Sequence, residues 1–69
     1  MEQLKGGIYI TPKEISLVTG LHYKTAQKEH LSIRDALRIK NGRLTVRQFC
    51  QYNHLIEEEV VEYLNRFRD

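Results

Sequence analysis

Two four-residue runs, Thr11-Pro12-Lys13-Glu14 and Thr45-Val46-Arg47-Gln48, constrain this chain most, and they stand 34 residues apart in a length of 69. Each reads as a capping box. The Thr hydroxyl accepts the backbone N–H three residues on, and the Glu or Gln side chain reaches back to the Thr N–H. Such a cap is worth about 1 kcal/mol, so each run marks a helix start. Pro12 strengthens the first, because a missing N–H costs nothing at the first helical position. At an offset of 34, residues 10–33 and 44–67 match in kind. Ile10 falls on Leu44, Ile15 on Phe49, Ser16 on Cys50, Leu21 on Leu55, Ala26 on Val60 and Ile33 on Phe67. Two copies are too few for a solenoid. The pattern predicts one domain over 1–69, built from two units, 10–33 and 44–67, each a pair of helices joined by a tight turn.

Ile8-Tyr9-Ile10 is apolar and β-prone, which favours an extended entry to the first helix. In that helix Ile15 and Val18 point inward, Leu17 partly so, and Gly20 ends it, since glycine takes the left-handed conformation freely. A second helix begins at His22 or Tyr23. Its stripe of Tyr23, Ala26, His30, Ile33 and Leu37 recurs at spacings of 3, 4, 3 and 4. It either runs to Lys40 or breaks at Ser32, where Ser32-Ile33-Arg34-Asp35 resembles a new capping box. Asn41-Gly42 ends it in both cases. Val46, Phe49 and Cys50 line one face of a third helix, and Asn53-His54 turns the chain. A fourth helix carries Ile56, Val60, Tyr63, Leu64 and Phe67 inward, with Val61 at the edge. Glu57, Glu58 and Glu59 sit at its positive end, Arg66 and Arg68 at its negative end. The expected fold class is all-α, a compact bundle of about four helices, with room for a minimal pairing of Ile8–Ile10 with Arg43–Thr45.

Composition narrows the chemistry. A chain of 69 residues has a thin core, burying only about 60% of its unfolded surface. That argues against an enzyme with a deep pocket of its own. One Cys excludes an internal disulfide framework and points to a reducing compartment, the cytosol. No apolar run is long enough to span a membrane, and Met1 to Gly7 lacks the apolar core of a secretory signal. Cys50 and His54 have the spacing of half a zinc site, but no second pair accompanies them, and Cys50 takes the small position that Ser16 holds in the first unit. A nucleophilic Cys–His pair needs an orienting third group and a pocket. Gly6-Gly7 lacks the Lys-Ser/Thr of a phosphate loop. The expectation is no catalytic residue, no metal and no cofactor.

Charge separates the halves. Residues 1–44 hold eight Lys and Arg against four Asp and Glu, whereas residues 45–69 hold three against five. The run from Thr11 to Lys28 resembles a DNA-binding helix–turn–helix. Ser16 is the small residue where the helices cross, Gly20 the turn, Leu21 the apolar filler of the angle, and Ala26 the small apolar lock on the second helix. Over residues 8–40 the chain is similar to small helix–turn–helix proteins of bacterial mobile elements and phages, of the excisionase-like or repressor-like kind. The resemblance implies transcription regulation or an accessory role in recombination, and double-stranded DNA as the partner. Two positions depart from the motif: Glu29 replaces an apolar residue, leaving His30 or Leu31 to face the first helix, and His22 replaces a Ser or Asn cap.

The second helix of that unit projects His22, Tyr23, Lys24, Thr25, Gln27 and Lys28. Gln pairs with adenine, Lys reaches guanine acceptors, and Thr touches a thymine methyl. Lys13, near a helix N-terminus, suits a phosphate. Arg34, with Arg38 one turn on, suits the flanking backbone if the helix continues. One unit reads only a few base pairs, so a homodimer or a protein partner is expected. The second unit presents Glu57, Glu58, Glu59 and Glu62 at the equivalent places, which a phosphate backbone repels. That acidic fourth helix motivates the competing reading, a protein-interaction module.

Overall fold

Both capping boxes form. Thr11 Oγ1 accepts the Glu14 N–H at 3.2 Å while Glu14 Oε1 accepts the Thr11 N–H at 3.1 Å. Thr45 and Gln48 make the same reciprocal pair at 3.0 and 3.1 Å. In the computed structural model, which describes residues 4–68, these boxes open α1 (Pro12–Thr19) and α3 (Val46–Asn53). Each of those helices closes on a left-handed residue, Gly20 and His54. Next come α2 (Tyr23–Ala36) and α4 (Glu57–Asn65). Thus α3 and α4 begin 34 residues after α1 and α2. The fold is an all-α bundle with one small antiparallel pairing, β1 (Tyr9–Ile10) with β2 (Leu44–Thr45).

The ladder's register places Ile10 opposite Leu44 and Tyr9 opposite Thr45. Ile10 and Leu44 are also the residues that the 34-residue offset superposes. The ladder therefore joins the entry strands of the two units at matching positions. Between them lies the core of Ile10, Ile15, Ala26, Ile33, Leu44, Val46, Phe49, Cys50, Val60, Val61 and Leu64.

Several expectations about the core need correction. α2 runs through Ser32 without a break and stops at Ala36, short of Lys40 and of Asn41-Gly42. Tyr23 and Leu37, at the two ends of its apolar stripe, are exposed. In α4, Ile56 is 61% exposed and Phe67 and Tyr63 also face outward, while Val61 is buried.

Arg68 does not serve the α4 dipole. Its guanidinium crosses to the other unit and donates to the Glu14 carboxylate. It also donates to the carbonyls of Lys5 at 2.6 Å, Gly7 at 2.7 Å and Tyr9 at 2.7 Å. One side chain thus ties the chain's end to the N-terminal arm, to β1 and to the first turn of α1. Burial alone would raise the Glu14 carboxyl, but the bonds from Arg68 and Thr11 and the nearby positive charge hold it below its ordinary value.

A depressed folded-state pKa stabilises the fold above the ordinary carboxylate range and is lost as pH falls through the depressed value. R68A is expected to cost about 2–3 kcal/mol, enough to lower the melting temperature by roughly 15–20 °C. E14Q should flatten the acid limb of melting temperature against pH. Unchanged melting in R68A would show that the clasp contributes nothing.

Candidate nucleic-acid interface

The α1–α2 corner is tied by short polar bonds. Gly20, at φ +76°, donates its N–H to the Ser16 carbonyl at 2.9 Å. Ser16 Oγ donates to the Leu21 carbonyl at 2.6 Å. Thr19 Oγ1 donates to the Ile15 carbonyl at 2.6 Å and accepts the Leu21 N–H at 3.2 Å. The Leu21 side chain is exposed, so the expected apolar wedge is replaced by this network around its backbone, with Ala26 buried beside it. His22 is the N-cap of α2, its Nδ1 accepting the Lys24 N–H at 3.4 Å.

The inward face of α2 is Ala26, His30 and Ile33, all buried. His30 takes the inward role that Glu29 vacates, Glu29 being half-buried and Leu31 exposed. His30 Nε2 lies 3.1 Å from the Ile10 carbonyl. A carbonyl only accepts, so the neutral ring carries its proton on Nε2. Burial, reinforced by the charge of Arg34, lowers the His30 pKa despite that bond.

The opposite face is open. Lys24, Gln27, Lys28 and Leu31 line a shallow depression of about 320 Å³. His22, Tyr23 and Thr25 are exposed beside it, and Lys13 is exposed in the first turn of α1. Leu31, 51% exposed, joins this face instead of facing the first helix. Ion pairs among the described residues join Arg47 to Glu57, Arg66 to Glu62 and Arg68 to Glu14, leaving Lys13, Lys24 and Lys28 uncompensated. Arg34 is half-buried and packs on Gly42, where an added Cβ would meet Nη1 at 3.2 Å. Arg38 has left the helix and is not on the α2 face.

The acids of unit two serve that unit. Ile56 gives α4 no side-chain cap, so Glu57, Glu58 and Glu59 complement its positive end, and Glu57 also pairs with Arg47 at 3.5 Å. Cys50 is buried, and that burial, with Glu57 nearby, pushes its thiol up to about 11. His54 stands exposed at the left-handed cap of α3. Among the described residues no three His, Cys, Asp or Glu side chains gather, and no helix is long and apolar enough to cross a membrane.

No family model, no curated protein and no solved structure matches the chain.

Burial makes the neutral form of His30 the one that the fold favours. Its lowered folded-state pKa means that the unfolded chain takes up the proton first, so stability falls as pH drops below the ordinary imidazole value of about 6.5. The melting temperature should decline between about pH 7 and pH 5, and H30Q should decline less over that window. Equal declines would show that His30 is not the group responsible.

Proposed function

We propose that this chain binds double-stranded DNA sequence-specifically through α2, as a transcription regulator or a recombination accessory factor. The observation that supports this most is the face of Lys24, Gln27 and Lys28, exposed and unneutralised, directly opposite the buried face that holds α2 in place. A helix with its side chains is about 10–12 Å across, which suits a major groove about 12 Å wide. In this reading Gln27, Lys24 and Thr25 approach base edges, whereas Tyr23, His22 and Lys28 contact the phosphate backbone. Lys13 meets a phosphate through its ammonium, the Glu14 N–H of the same turn being already bonded to Thr11. Pairing of two chains, or a bound protein partner, supplies the second half-site that so small a footprint needs.

The test is an amide-shift titration of the isotope-labelled chain with short duplexes at low and high salt. Shifts should centre on residues 22–28 and fade with salt. K24E/K28E should weaken duplex binding at least tenfold while melting as the wild type does. Undiminished binding by that folded variant would sink the reading. Shifts confined to residues 57–66 with a protein bait, and none with duplex, would move the interface to α4.

A further inference from the structure

Residues 34–43 carry Arg34, Arg38, Lys40 and Arg43 against the single acid Asp35. None of the four cations makes an ion pair among the described residues. The segment has a definite shape. Arg38 sits at φ +57°, its N–H donating to the Asp35 carbonyl at 3.1 Å, and the Ile39 N–H donates to the Arg34 carbonyl at 2.9 Å. Asn41 Oδ1 accepts the Arg43 N–H at 3.0 Å. The Arg43 guanidinium lies 5.4 Å from the Tyr9 ring centroid. Arg38, Lys40 and Arg43 line a depression of about 490 Å³ with Tyr9, Asn41 and Gln48. Arg34 reaches the same loop at Gly42, and its Nε is buried with no hydrogen-bond partner among the described residues.

The two units treat their equivalent arginines differently. At the offset of 34, Arg34 falls on Arg68 and Gln48 falls on Glu14. Arg68 has a carboxylate to bind. Arg34 has an uncharged amide at the matching position. Four neighbouring like charges disfavour the compact state, and a bound oxyanion removes that cost. We propose that Arg38, Lys40 and Arg43, backed by Arg34, form an oxyanion site for phosphate, occupied by a backbone phosphate of the duplex that α2 reads. The occupant rests on the DNA reading; the oxyanion site does not.

Two measurements separate these. The first titrates the chain with inorganic phosphate against chloride at equal ionic strength, following the Arg34 Nε–H signal and the amides of 38–43. Selective shifts support the site, and their absence counts against it. The second compares R38Q/K40Q/R43Q with the wild type in duplex binding as salt is raised. The slope of log affinity against log salt should become shallower by about 1, since one phosphate contact contributes about 0.9, with the ranking of duplex sequences unchanged. A wild-type slope in the folded variant overturns the phosphate contact while leaving the α2 reading intact. Phosphate shifts from a chain that binds no duplex keep the oxyanion site and overturn the DNA occupant together with the α2 reading. Silence in both measurements overturns the proposal.

Discussion

The pairing of Ile10 with Leu44 decides how everything else is arranged. Each unit alone is two short helices with one apolar face, too little to bury a core. The ladder joins each unit's entry strand to the other's, and the two apolar faces close on one another. The Val46 N–H extends the contact by donating to the Ile8 carbonyl at 2.8 Å. The ladder also aims the Ile10 carbonyl at His30, which fixes where α2 lies. Arg68 then fastens the outer side of the same strand.

The elements with local causes were legible in the sequence. The Thr11 and Thr45 boxes, the Gly20 corner and the buried triplet of Val46, Phe49 and Cys50 follow from residues within a turn of one another. The failures have non-local causes. Asn41-Gly42 is a good local stop, yet α2 ends at Ala36, because the chain must reach Leu44 and the Arg34 carbonyl instead accepts the Ile39 N–H. A 3.6-residue period says which side of a helix is apolar but not how far the partner helix extends, so Leu37, Ile56 and Phe67 lie outside although the period puts them on the inward side. Arg68 bonds Glu14 across 54 residues, and no periodicity encodes that.

The candidate face on α2 was legible for the same reason as the boxes. Lys24, Gln27 and Lys28 share one side of a helix and Ala26 and Ile33 the other, and spacing alone separates them. The role of Leu21 was not, because a turn residue's exposure depends on the angle between helices, and hydrogen bonds from Ser16 and Thr19 set that angle. The 38–43 cluster was hidden by the expectation of a longer helix, which puts Arg38 on the α2 face instead of in a loop that lines one depression with Tyr9.

One scaffold used twice thus yields two different surfaces, and the difference starts outside the helices. The arm before the first unit supplies Leu4 and Ile8, which line a depression with Val46 and Val61 in the second. At the 34-residue offset those arm residues become Arg38 and Gly42, while Val61 corresponds to Gln27. Where unit two has apolar cover over a buried valine, the matching sequence positions of unit one hold a cation, a glycine and an exposed amide, the cation lying off the α2 face. A face covered by apolar side chains is committed to the fold. The corresponding residues of unit one contribute little to the core, so packing does not restrict them to apolar side chains.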